Sequence, residues 1–75
     1  MYIYFIQVIN KDKFIKIGRS KRPLERIEDI KWNIPYPINT LLILKENEKL
    51  GITEWICQNR FSLYNLRGEW FYPDI

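Results

Sequence analysis

YIYFIQVI at residues 2–9, separated by the polar NKDK of 10–13 from FIKI at 14–17, is the stretch that decides the fold. The first run is aromatic or β-branched almost throughout, which reads as a strand covered on both faces. Asn10-Lys11-Asp12-Lys13 is a polar turn cluster. FIKI reads as a second strand, ended by Gly18, so the chain opens on a β-hairpin. Side chains alternate faces along a strand, so Tyr4 and Lys16 share a face only if the loop holds an odd number of residues. A four-residue loop over Asn10–Lys13 separates them, while direct opposition needs a five-residue loop from Val8 to Asp12 or a bulge. The hydrophobic pattern alone does not choose.

Outward from the hairpin, Ser20 to Trp32 reads as a helix with Pro23 in its first turn, where a missing N–H is no loss. Leu24, Ile27 and Ile30 form an apolar stripe with Trp32 just beyond it, and Arg26 lies at the stripe's edge. Asn33-Ile34-Pro35-Tyr36-Pro37 breaks the helix, because residues before proline avoid the α region. INTLLIL at 38–44 is a third strand, and Asn47 to Tyr64 a second helix with Asn47 as N-cap. Gly51 weakens its first turn. The tail LRGEWFYPDI is a turn at Gly68 followed by an aromatic anchor, with Trp70 and Phe71 closing the core. The expected class is therefore α+β, a small three-stranded antiparallel or mixed sheet flanked by helices in the order β-β-α-β-α.

Seventy-five residues are expected to make one domain, 1–75, near the lower size for folding without staples. An aromatic content of 16% explains how so short a chain builds a core, since rings bury much area each. Cys57 is the single cysteine, which excludes an intrachain disulfide and fits a reducing, cytoplasmic setting. The absence of histidine excludes His-based zinc sites and histidine general bases. No apolar run is long enough for a membrane span, and the first residues carry no basic leader, so no membrane partner and no signal peptide are expected. The net charge is +3, and Lys11, Lys13, Lys16, Arg19, Lys21, Arg22, Arg26 and Lys31 crowd into positions 11–31. That stretch is either an ordinary solvated face or a phosphate-binding surface.

Three stretches carry a likeness. Tyr2-Ile3-Tyr4 comes first; Lys16-Ile17-Gly18-Arg19-Ser20 follows, with Pro23 and Arg26; the last set is Glu54, Arg60-Phe61 and Arg67-Gly68-Glu69-Trp70-Phe71. In order and spacing they resemble the GIY-YIG nuclease superfamily. They are most similar to its meiotically-up-regulated-gene branch, which reads Lys-Ile-Gly in the second motif and ends in Gly-Glu-Trp-Phe. The resemblance spans the chain from Tyr4 to Phe71. Two positions depart from it: Tyr2 replaces the glycine of the first motif, and Gln58 stands where the branch has histidine. Glutamine hydrogen-bonds but does not titrate near neutrality.

The resemblance implies a metal-dependent DNA endonuclease. Glu54 would be the sole protein ligand of a hydrated Mg²⁺ or Mn²⁺, an ion that keeps several waters and takes few carboxylates. Its ordinary reading is an exposed helical glutamate. Arg26 would hold the scissile phosphate through its guanidinium fork, or else pair with Glu25, Glu28 or Asp29. Tyr4 would orient or deprotonate the attacking water. A base role needs a nearby cation to favour the phenolate, and Lys16 is the expected one. Their ordinary readings are a core aromatic and a solvated strand lysine. Arg19, Lys21 and Arg22 are expected on DNA phosphates, and Glu69 is either a second acid near the metal or a partner of Arg67. The expected partner is duplex or branched DNA. Relatives carry appended DNA-binding domains for which this length leaves no room, so a homodimer or a partner supplying specificity is expected. The alternative is a catalytically silent DNA- or protein-binding module on the same scaffold.

Overall fold

The aromatic and β-branched opening folds as β1 (Tyr2–Val8), antiparallel to β2 (Ile15–Ser20) on one side and β3 (Ile38–Lys45) on the other. The structure, a computed structural model, describes residues 1–73. Both edges of β1 are paired and Ile3, Tyr4, Ile6 and Val8 are buried, as the lack of polar alternation implied. The hairpin loop runs over residues 9–13, closed where Val8 N–H donates to the Phe14 carbonyl at 3.0 Å. Inside it, Asn10 Oδ1 accepts from the backbone N–H groups of Asp12 and Lys13. Lys13 turns the chain at φ 55°. This odd-length loop sets Tyr4 opposite Gly18 and Ile6 opposite Lys16. Tyr4 and Lys16 thus share a face as diagonal neighbours, not as a direct pair. Gly18 sits within β2 rather than ending it.

α1 (Pro23–Asn33) begins at Pro23 and buries Ile27 and Ile30 against one sheet face. There they join Tyr4 and Ile6, with Ile34, Ile38 and Ile43 packed alongside. Leu24 departs from the expected stripe: it overhangs a recess beside Tyr2 and Ile43 and stays 72% exposed. Trp32 is more exposed still. The inward stripe of α1 is therefore only Ile27 and Ile30 wide.

The expected helix over 47–64 is three pieces. Asn47 does act as a cap, but of a single 3₁₀ turn, Glu48–Leu50, which ends at Gly51 in the left-handed region (φ 72°). α2 is Glu54–Arg60, capped by Thr53, whose hydroxyl accepts from Ile56 N–H. A second 3₁₀ turn follows at Ser62–Tyr64. Cys57 and Phe61 face the opposite sheet surface, where Ile3, Ile15, Ile17 and Phe71 form the second core cluster. Removing Ile17, fully buried under α2, would cost roughly 2–5 kcal/mol as alanine.

The tail adds two short strands, β4 (Asn65–Arg67) and β5 (Trp70–Phe71), turning at Gly68 (φ 56°). The sheet is consequently five-stranded and antiparallel, in the order β3-β1-β2-β5-β4, with one helix on each face. β5 pairs with β2 only at Ile15 and Lys16. From Gly18 to Ser20 that edge of β2 has no strand partner among the described residues. Phe71 closes the core as expected, but Trp70 remains half-buried at the rim. Among the described residues, no helix is long and apolar enough to cross a membrane.

Candidate functional site

Where β5 stops pairing with β2, polar groups from four elements gather. Tyr4 is the anchor. Its ring is 1% exposed and crosses directly over Gly18, so that a Cβ at position 18 would collide with Tyr4 Cζ and Oη. Glycine is needed here for close approach, which sets the hydroxyl directly over β2 at a position acted on by Arg26, Glu69 and Glu54. Burial raises the Tyr4 pKa above its ordinary value, and the Arg26 side chain opposes that rise while Glu69 and Glu54 add to it. The net effect is a neutral phenol at physiological pH. Lys16, which the resemblance put forward to favour the phenolate, does not figure among the main charges acting on the hydroxyl. Arg26 is the cation that does.

Lys16 is instead held by Glu69. Its Nζ lies 3.1 Å from Glu69 Oε1, with the lysine side chain only 14% exposed, and 5.1 Å from the centroid of the Trp70 ring. Glu69 is fixed in turn by its backbone carbonyl, which accepts from Ile17 N–H at 2.9 Å. The pairing of Glu69 with Arg67 that the sequence allowed is not observed; its ion-pair partner is Lys16. Arg26 forms no ion pair with a described acid: Glu25 pairs with Arg22 at 3.6 Å and Glu28 with Lys31 at 3.8 Å. Its guanidinium is left to Tyr4 and the site.

Glu54 arrives from the other side of the sheet, as the first residue of α2. Burial raises its carboxyl above the ordinary range, and the neighbouring Glu69 carboxyl raises it further; Arg19 opposes this. Beside it is a polar recess of about 340 Å³ lined by Arg19, Glu46, Thr53 and Glu54. Arg19 does not stand free for phosphate, since both arms of its fork bind Glu46, each at 2.9 Å. Lys21 and Arg22 are exposed just beyond β2. The basic residues of 11–31 are not one patch. Lys11 and Lys13 sit in the hairpin loop and Lys21 and Arg22 at the opposite end of β2, roughly 20 Å away at the rise of a strand.

Sequence reasoning left Glu69 open and missed the work of Gln58. Its amide Nε2 donates to the Ile17 carbonyl at 3.0 Å, clipping α2 to β2. Gln58 and Glu69 together satisfy both backbone groups of Ile17 on the side where β5 ends. The Gly-Glu-Trp-Phe motif was the signal for Glu69; nothing in the sequence signalled the Gln58 clip. Chemically, the site offers a neutral hydroxyl, an unpaired guanidinium, a tethered ammonium and two adjoining carboxyl groups.

The chain belongs to the T5orf172 domain family, whose model matches residues 1–74. No curated protein and no solved structure matches it. This family is nuclease-associated, which makes the chain a nuclease-related, DNA-interacting domain.

Proposed function

We propose that the chain is a GIY-YIG-type endonuclease, of the branch with Lys-Ile-Gly and Gly-Glu-Trp-Phe motifs, that hydrolyses DNA phosphodiesters with one divalent cation. The observation that carries this reading is the placement of the Tyr4 hydroxyl over Gly18, within the fields of Arg26, Glu54 and Glu69. A buried tyrosine serving only the core would gain nothing from a polar cluster around its oxygen, since burying charged groups costs free energy unless they are used or paired.

The donor set fits a hydrated Mg²⁺ or Mn²⁺. Two carboxyl groups meet with a surplus of negative charge, and both are the hard oxygen donors such ions take. Among the described residues no cluster of three or more metal-ligating side chains exists, so the fit is to an ion that keeps most of its waters. Glu54 would hold it, with Glu69 adjoining. When bound, the cation would supply Lewis acidity to the phosphoryl oxygens and lower the pKa of a bound water.

The chain's own residues divide the remaining tasks. Arg26 binds the scissile phosphate, where a guanidinium matches two oxygens and offsets the charge that builds in the transition state. Tyr4, neutral, orients the attacking water through its hydroxyl rather than deprotonating it. Lys16, tethered by Glu69, adds fixed positive charge beside the phosphate without needing to reorganise. Lys21 and Arg22 contact flanking phosphates.

A plasmid-nicking assay with Mg²⁺ or Mn²⁺ tests the reading, with wild type and Glu54→Gln run side by side. Metal-dependent nicking by wild type and none by the variant is the expected outcome. Should wild type nick no DNA with either metal, while Glu54→Gln binds DNA like wild type, the chain is a silent binding module instead.

A further inference from the structure

A second recess lies on the α1 face of the sheet, on the far side of Lys16 from Tyr4. It has a volume of about 550 Å³, within the range of small-molecule sites. Its walls come from three separate segments: the β1–β2 hairpin, the α1–β3 connection and β4–β5. Val8 and Ile34 give it an apolar base. Phe14, Tyr36 and Trp70 contribute aromatic rings, and Asn10 and Arg67 are its polar members.

We infer that this recess is a subsite for an unpaired nucleobase of the DNA strand engaged at the active site. The inference rests on the DNA-binding reading above and adds to it a base contact that cleavage chemistry does not require. Its position and its lining both support it. The recess adjoins the site through one side chain, because the Trp70 ring that lines it also lies under the Lys16 ammonium. Lys16 and Gly18 are alternate residues of β2, about 7 Å apart, so a strand with its phosphate at Arg26 and Tyr4 passes the mouth of the recess.

The lining also suits a base better than a peptide or lipid. Aromatic faces stack any base, and an arginine plane does the same while attracting the backbone. Among the described residues no acid lines the recess, and the one charge there is the positive Arg67. Arg67 forms no ion pair with a described residue. Phe14 is braced edge-on by Tyr72, with ring centroids 5.9 Å apart, so it is a fixed platform. Asn10 spends its Oδ1 on the loop backbone, while its Nδ2 donates to none of the described residues and is free to meet a base edge.

Fluorescence anisotropy in EDTA, which prevents cleavage, tests this with two labelled strands of equal charge: a run of thymidines and a matching run of abasic sugar-phosphates. Wild type should bind the thymidine strand more tightly, by about five- to hundredfold for a stacked base. Tyr36, half exposed in a loop, is the residue to change. Tyr36→Ala should weaken thymidine binding and leave abasic binding alone, and Tyr36→Phe should restore it; Arg67→Ala should weaken both. Equal binding of the two strands by wild type, or a Tyr36→Ala loss that is the same on both, would overturn the subsite. If either of these results comes with steeply salt-dependent binding, the subsite alone fails. If wild type binds neither strand nor duplex, the DNA reading fails with it.

Discussion

Glu46 and Glu54 line the same recess, yet they are opposite kinds of carboxylate. Glu46 has its own cation: both of its oxygens meet the Arg19 fork, and that hydrogen bonding holds its pKa below the ordinary range. Glu54 has no such partner. It is half-buried, faces a second carboxyl at Glu69, and is pushed above the ordinary range. One acid has had its charge answered by the protein, and the other has had charge added beside it. A fold does not hold an arrangement like the second for stability, because like charges in a partly buried place raise the free energy. Under the proposed function, a divalent cation at Glu54 is what would relieve it.

The hardest test of this contrast is to neutralise each acid in turn. Glu54→Gln should abolish metal-dependent nicking, while Glu46→Gln should leave it close to wild type. Equal losses in the two variants would show that the recess acts as an undivided acidic patch. Next in size is Arg26→Ala. Charge-assisted hydrogen bonds are worth roughly 1.5–3 kcal/mol, so DNA affinity in EDTA should fall about ten- to hundredfold, with nicking lost as well. Tyr4→Phe should slow nicking with affinity unchanged, since only the hydroxyl goes. An Arg26→Ala variant that binds normally would move the phosphate away from the Glu54 side.

Gly18→Ala attacks the scaffold that brings the two sides together. A methyl group there collides with the Tyr4 ring, and overpacking of this kind costs roughly 1–3 kcal/mol. Urea unfolding should report that loss, and nicking should fall further than stability does, because the displaced ring carries the hydroxyl proposed to orient the attacking water. Unchanged stability would mean that the ring has another place to go.

Much of the fold was legible in the sequence, and what was missed has physical causes. β1, β2, α1 and β3 follow from runs and breaks of apolar residues, and the candidates Tyr4, Arg26 and Glu54 came from motif order, whereas nothing singled out Glu46. The helix over 47–64 was not legible as three pieces. A 3₁₀ turn and an α-helix can keep similar apolar spacing, and here the left-handed backbone at Gly51 and the extended Thr53 divide them. Strands as short as Trp70–Phe71 have no periodicity to detect. The shared face of Tyr4 and Lys16 depends on the conformation of Lys13, which side-chain pattern does not encode. The Lys16–Glu69 pair was not legible either, because Glu69 is 53 positions away in the chain and 3.1 Å away in space. Contacts of that kind belong to packing.

A smaller effect concerns binding away from the site. Lys21 is exposed at the end of β2 and pairs with no described acid, whereas Arg19 is committed to Glu46. Lys21→Glu should flatten the dependence of duplex affinity on salt by about one phosphate's share, a slope near 0.9. Arg19→Ala should flatten it less, because its charge is already answered. A larger change from Arg19 would break the description of Glu46 as satisfied.

The smallest expected effect is on stability against pH without metal, and there the two acids should pull in opposite directions. Glu46 titrates below its ordinary value near 4.5 when folded, so its contribution is full above that value and is lost as pH falls through the lowered one. Glu54 titrates above 4.5 when folded, so the folded state binds the extra proton. Its contribution therefore favours folding at acid pH and fades as pH rises from 4.5 through the raised value. Denaturant unfolding across pH 2 to 8, in EDTA, should show a shallow decline toward neutral pH from Glu54 and a separate loss on the acid side from Glu46. Glu54→Gln should remove the first and keep the second; Glu46→Gln should do the reverse. If Glu54→Gln declines toward neutral pH as wild type does, Glu54 carries no excess charge in the fold, and the distinction between the two carboxylates is lost.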